Sequence, residues 1–254
     1  MVTIRRKAAH FLRKLNLLHF ADRVMFFGNV LINIRANKRF LAGHPEFLHP
    51  PAHLAYDAYG NINWQLIYEM GLEASRLISG FIKEYVQGND IRICEWGCGP
   101  GRVIRHFDKI DGFDKVELFG TDYNEKTINW CNENIPNVHF NKNNLEPPLP
   151  LQSEMFDCVY SISVFTHLSE RMHYAWVEEL FRILKPNGIL IFTTHGDLCS
   201  KSLLKEERER YDSGVLVVKD KIEEGKKHFL AYHPPKFIKE SLLNGNDILE
   251  HIES

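Results

Sequence analysis

The middle of the chain changes its hydrophobic period repeatedly. Ile91–Trp96 is a short apolar run, Val116–Thr121 a second, Val138–Phe140 a brief third, Phe156–Ser161 a fourth and Gly188–Thr194 a fifth. Runs of this length, rich in β-branched and aromatic residues, read as strands. Helical spacing fills the intervals: from Arg102, over Glu125–Asn134, and over Arg171–Leu184. In the last, Trp176, Leu180, Phe181 and Leu184 form one stripe, and Lys185–Gly188 carries the Pro and Gly that end a helix. Nearly continuous apolar strands alternating with helices predict an α/β fold, a doubly wound and mostly parallel sheet with helices on both faces.

The flanks carry weaker patterns. Trp64–Val86 repeats its apolar residues at helical spacing. Residues 45–65 are rich in Pro and aromatics and read as an irregular loop. Its stretch Leu54–Trp64 either packs on the domain as a loop or makes a lid over an acceptor site. After His195 the pattern predicts a charged helix at 201–211, a hairpin from 214–220 and 228–233, a short helix at 234–243 and a last strand over Asp247–Glu253. Residues 1–65 thus read as a basic helical extension with an aromatic lid segment, and residues 66–254 as the main domain.

Charge changes the picture only at the N-terminus. A formal net charge of −2 over 254 residues argues against nucleic acid as a partner. Before position 40, however, Arg5, Arg6, Lys7, Arg13, Lys14, Arg23, Arg35, Lys38 and Arg39 face only Asp22. Mixed with Phe11, Leu12, Leu15 and Phe20, this head reads as an amphipathic helix docked on the domain, as a peripheral membrane contact, or as a basic arm. Cations interrupt every early apolar stretch, so no signal peptide of the usual form is expected. Met25–Ile34 is too short to span a bilayer. The five cysteines show no C-x-x-C spacing, and His44, His49 and His53 lack a rigid ligand spacing. Neutral thiols in a cytoplasmic protein, with no metal, are the expectation.

The chemistry gathers at "ICEWGCGPGRVIRHF", Ile93–Phe107. Glycines between a strand and a helix let the backbone approach a ligand. The dinucleotide pattern G-x-G-x-x-G fits Gly97 and Gly99, but its third position is Arg102, with glycine one residue early at Gly101. No Lys-Ser or Lys-Thr follows, so a P-loop fails as well. Glu95, at the buried end of the first strand, either caps local amides or accepts from a cationic ligand group, and it would repel phosphates. Asp122, about 20 residues beyond the turn, suits both hydroxyls of a ribose, or else caps the following helix. Tyr123 would lie against an adenine, and Asn143 or Asn144 would take its amino group.

"CEWGCGPGR", "GTDYN", "NNLEPPLP", "FDCVYSISVFTHL" and "RILKPNGILIFTTHG", in that order, resemble the class I S-adenosylmethionine-dependent methyltransferases, in particular a bacterial branch acting on small molecules and surface glycans. The resemblance covers residues 90 to 200 well. It implies S-adenosyl-L-methionine as cofactor, with Glu95, Gly97, Cys98 and Gly99 at the methionine part and Asp122 at the ribose. Tyr123, Asn143, Asn144 and Leu145 would frame the adenine, and Ser161 and Ile162 would lie near the sulfonium. An Asn stands after the third strand where many relatives have Asp. The family's last antiparallel strand also has no counterpart here, unless a segment such as 214–220 covers the gap.

The resemblance further implies in-line displacement of the methyl by a small-molecule or glycan-type acceptor. For a hydroxyl acceptor a base helps. His167 and His195 stand at the carboxyl ends of the fourth and fifth strands, where open α/β sheets bind ligands, and are the candidate catalytic residues, the alternative being histidines that cap a helix or pack. The alternatives are a methyltransferase-like domain that only binds or scaffolds, and a nicotinamide-dependent oxidoreductase.

Overall fold

A computed structural model describes residues 18–88, 90–109, 114–219 and 223–253. Part of the basic head, from Arg5 to Lys14, lies outside the described residues. The chain divides into two compact units, Met1–Glu69 and Met70–Ser254.

The first unit is helical. Helix α1 (Leu18–Gly43) carries two faces. One joins a core of Phe40, Phe47, Ala55, Tyr56, Ile62, Trp64 and Ile67, with Phe26 and Val30 packed against it. Three asparagines at helical spacing pin that face: Asn29 Oδ1 accepts from Ile62 N, Asn33 Oδ1 from Asn63 Nδ2, and Asn37 Oδ1 from Trp64 N. The predicted irregular loop contains instead helix α2, Ala52–Tyr59. Pro51 precedes its first residue, and Gly60, at φ +65°, closes it by donating to Tyr56 O. The aromatic content of the segment, read as a lid, supplies Tyr56 and Trp64 to the core of this unit. His44 and His49 stack on Phe40 and Trp64. Helix α3 (Trp64–Tyr85) runs across the division at Glu69.

The second unit is built on a five-stranded sheet in the order β3-β2-β1-β4-β5, with every neighbouring pair parallel. Its strands are β1 (Asp90–Trp96), β2 (Lys115–Asp122), β3 (Val138–Lys142), β4 (Phe156–Ser161) and β5 (Leu184–Phe192). β1 from Ile93 to Trp96 and nearly all of β4 are buried because both faces are covered there. One core layer packs Ile78 and Ile82 of α3 on Ile91, Ile93 and Tyr160. The other packs Met172, Trp176, Leu180 and Ile183 of α5 (Glu170–Ile183) on Trp96, Phe156 and Phe165. Helix α4 (Glu125–Asn134) connects β2 and β3. Of the expected stripe, Trp176, Leu180 and Leu184 are buried but Phe181 is exposed; Met172 and Ile183 complete the buried face of α5. Lys185–Gly188 does end α5, but β5 already begins at Leu184, with Asn187 at φ +64° making the turn inside it. After the glycine turn only a 3₁₀ segment forms, Ile104–Lys109.

The sheet ends at β5 among the described residues. β6 (Val217–Lys219) and β7 (Leu230–Tyr232) pair antiparallel as a separate two-stranded sheet, the expected hairpin. Leu216, Ala231, Phe237 and Leu242 join the core that receives Leu190 and Phe192 of β5, so one face of the edge strand is covered. The predicted last strand is not one. Residues 247–253 carry no ladder, with Leu249 and Ile252 exposed. Side chains hold this stretch: Glu250 accepts from Tyr85 Oη at 2.7 Å, and Glu253 from the Asp197 amide at 3.3 Å.

Candidate cofactor site

The topological switch between β1 and β4 places ligands beyond the carboxyl ends of these strands. There the glycine turn leaves β1 with Gly97, Gly99 and Gly101 at φ +73°, +50° and +67°. Such angles suit residues without Cβ. Space demands it too: a Cβ on Gly97 would sit 2.2 Å from Val164 Cγ2, and one on Gly101 2.7 Å from Ile135 Cδ1. Thr121 O accepts from Gly97 N at 2.8 Å and Cys98 N at 2.9 Å. Asp122 Oδ2 accepts from Gly99 N at 3.0 Å, while its Oδ1 accepts from Asn124 N at 2.8 Å. Asp122 therefore joins the turn to the end of β2. It does not cap α4; Asn124 does, accepting from Lys126 N at 3.2 Å. A carboxylate at this strand end is of the type that accepts from ribose hydroxyls.

Glu95 lies beneath the turn, 3% exposed. Its Oε2 accepts from Tyr160 Oη at 3.0 Å and from Ile104 N at 3.2 Å. Burial pushes its pKa up to about 8, against the opposing pull of the Tyr160 hydroxyl and Arg102. Cys98 is buried within the turn, and burial holds its thiol neutral.

The two asparagines after β3 separate. Asn143 is buried and donates to Asn144 O at 2.5 Å, while its Oδ1 has no hydrogen-bond partner; Asn144 is exposed. Ser161, at the end of β4, is 1% exposed, and its Oγ also has no partner. Buried polar atoms are rarely left unpaired, so two of them at the ends of β3 and β4 fit a polar ligand laid across the strands. Ile162 is half-buried on the core side. Just beyond, Ser163 has φ +62° and donates its amide to Thr193 Oγ1 at 2.8 Å. A non-glycine residue held there is the kind of local strain found beside ligand sites.

A segment the sequence reading missed crosses this end of the sheet. Gly225 O accepts from Tyr123 Oη at 3.1 Å, and Gly225 N donates to His167 O at 3.0 Å. A Cβ on Gly225 would lie 2.6 Å from Leu145 Cδ1. Glu224 takes the amide of Ser169. Residues 224–229 thus connect Tyr123 and Leu145 to the turn after β4. Only the glycine in a charged stretch hinted at it.

Both candidate histidines are anchored by the chain around β7. His167 Nδ1 lies 2.7 Å from Phe229 O, and His195 Nδ1 3.1 Å from Ala231 O. A carbonyl only accepts, so each Nδ1 carries the hydrogen and each Nε2 is left a bare base. Burial lowers both pKa values, which keeps the rings neutral. Behind them His173 donates from Nδ1 to Ser169 O at 2.7 Å, and its Nε2 meets His233 Nε2 at 2.7 Å.

Comparison with known proteins finds methyltransferases. The family described as "Methyltransferase domain" matches residues 94–192, from within β1 to the end of β5. A malonyl-[acyl-carrier protein] O-methyltransferase of Bacillus cereus is 31% identical over 147 residues, covering 57% of this chain and 50% of that protein. A tRNA N(3)-methylcytidine methyltransferase of Schizosaccharomyces pombe is 27% identical over 113 residues, 42% of this chain and 37% of that one. The solved structure of a putative sarcosine dimethylglycine methyltransferase from Galdieria sulphuraria superposes with a TM-score of 0.44 at 17% identity, over 58% of this chain and 61% of that one. The chain spans about half the length of the first curated relatives it matches. The matched domain extends over the glycine turn, Asp122 and the five parallel strands from Cys94 on, so it is residues 94–192 of this chain that are similar to the methyltransferase domain family.

Proposed function

We propose that this chain transfers a methyl group from S-adenosyl-L-methionine to a hydroxyl of a small-molecule or glycan-type acceptor. The observation that carries the reading is the strand-end constellation: a glycine turn tied to Asp122, with Asn143 Oδ1 and Ser161 Oγ buried and unpartnered beside it. Asp122 would hold the ribose hydroxyls, Asn143 and Tyr123 the adenine, and the turn with Glu95 the methionine part. Asn144, being exposed, is the weaker of the two asparagine candidates. When bound, the cofactor supplies an electrophilic methyl on a sulfonium.

The protein's part is then to position the acceptor and take its proton. Two neutral imidazoles with bare Nε2 atoms suit an acceptor that must lose a proton, as a hydroxyl does. A carboxylate acceptor, as suits a malonyl O-methyltransferase such as the Bacillus relative, needs no base. This is the support for a hydroxyl.

Calorimetric titration with S-adenosylmethionine, with NAD as control, tests the cofactor. Binding of S-adenosylmethionine alone is expected, and Asp122→Ala should weaken it at least about tenfold, the loss of a charged hydrogen-bond acceptor. Preference for NAD overturns the reading, and unchanged affinity of Asp122→Ala misplaces the ribose. Methyl incorporation into sugars, malonyl-carrier protein and tRNA then identifies the acceptor class, with a hydroxyl compound expected.

A further inference from the structure

Among the described residues, helix α1 leaves a second apolar face uncovered. Phe20, Val24, Phe27, Leu31 and Ile34 are 69%, 56%, 63%, 70% and 52% exposed. Their spacing of four, three, four and three residues aligns them in one stripe roughly 21 Å long. Met25 and Ile32, 54% and 82% exposed, lie apart from it, about 120–140° around the helix from its midline. The stripe is not the side by which α1 packs in its own unit, since Phe26, Val30, Asn33, Asn37 and Phe40 serve there. Contiguous exposed apolar surface of this extent marks an interaction site.

The charges select the occupant. Arg23, Arg35, Lys38 and Arg39 are exposed on the same helix, around and between the apolar residues. Its single acid, Asp22, points to the packed side, where Oδ1 accepts from Tyr56 Oη at 3.3 Å. Five more cations precede the helix, Arg5, Arg6, Lys7, Arg13 and Lys14, with no acid among them. The 3-4 spacing is also that of a helix–helix seam. A second copy, however, would bring Arg23, Arg35 and Lys38 against their own counterparts with no acid to pair them, where such seams place opposite charges. An anionic bilayer surface matches on both counts. It takes an apolar stripe into the acyl boundary and attracts flanking Lys and Arg. No helix among the described residues is long and apolar enough to cross a membrane, and the packed side of α1 is already occupied. Helix α1 would therefore lie in the interface plane.

We infer that α1 docks the protein on anionic membrane surfaces through Phe20, Val24, Phe27, Leu31 and Ile34. Membrane binding is read without any methyl-transfer assay, so this inference and the proposed activity fail separately.

The test is flotation of the full chain with vesicles of phosphatidylcholine alone and of phosphatidylcholine mixed with phosphatidylglycerol. Wild type should partition onto the anionic vesicles, and added salt should weaken it. Phe27→Glu with Leu31→Glu should lower partition at least about tenfold, as should Arg35→Glu with Lys38→Glu. All four side chains are exposed, so helicity by circular dichroism and S-adenosylmethionine affinity should stay at wild-type values. Absence of wild-type binding to anionic vesicles overturns the inference, and so does binding that ignores both variants. A concentration-dependent dimer that the Phe27→Glu, Leu31→Glu variant dissolves would give the face to a second copy. A full chain that binds no vesicle, with a hydrophobic dye taken up at this face only after residues 1–17 are removed, would give it to the chain's own first residues. Either result rejects the membrane.

Discussion

Glu95 shows how one side chain serves two demands. Its position beneath the glycine turn costs it solvent, and its pKa rises to about 8. In the unfolded chain a glutamate titrates at about 4.3. A pKa raised on folding means that the folded state keeps a proton the unfolded state releases. The contribution of Glu95 to stability is thus fully present below about pH 4 and is lost as pH rises through 8. Glu95→Gln removes this titration. Its unfolding free energy, measured by chemical denaturation without ligand, should gain on wild type between about pH 5 and about pH 9, by on the order of a few kcal/mol at full extent. A constant difference across that range would mean Glu95 is ionised in the fold. The same substitution should weaken S-adenosylmethionine binding, which separates stability from recognition. The sequence placed this acid at a buried strand end. It did not reveal Tyr160 and Ile104 as its partners, because they lie 65 and 9 residues away and meet it only when β4 and the turn are in place.

At the scale of elements, the glycine turn and the turn after β4 form one device. Gly97 needs a positive φ, and its Hα side faces Val164 at a distance no Cβ allows. Gly97→Ala should cost about 1–2 kcal/mol for the backbone alone and more for the clash, read by chemical denaturation. Adding Val164→Ala should return the clash part and leave the backbone part. A Gly97→Ala protein as stable as wild type would contradict the turn geometry. Strands β1 to β5 and helices α3 to α5 were readable because each buries a periodic face. Two readings failed for physical reasons. Residues 52–59 form α2 because they bury Leu54, Ala55 and Tyr56, an advantage no local Pro or aromatic count displays. Residues 247–253 alternate like a strand, but side-chain bonds to Tyr85 and Asp197 hold them instead of a ladder.

For the whole molecule, the decisive fact is that distant segments converge on β7. His167 follows β4 and His195 follows β5, yet neighbouring carbonyls, Phe229 O and Ala231 O, set both tautomers. If their Nε2 atoms take the acceptor proton, turnover should fall as pH drops through their lowered pKa values and stay level above neutrality. Removing the base function with His167→Asn or His195→Asn should cost about 10²-fold or more in kcat at one of the two positions and flatten that acid limb. Turnover that neither variant changes would assign the histidines to packing alone.

The sequence by itself determined the parallel α/β sheet, the glycine turn and the acid that follows it, because apolar period, glycine and strand-end charge act locally. Only the tertiary structure decided which asparagine is buried, which histidine nitrogens remain free of the backbone, what crosses the strand ends and which face of α1 is left bare. Those outcomes depend on contacts between residues tens of positions apart, and side-chain burial and tautomer are set by whichever segment arrives there.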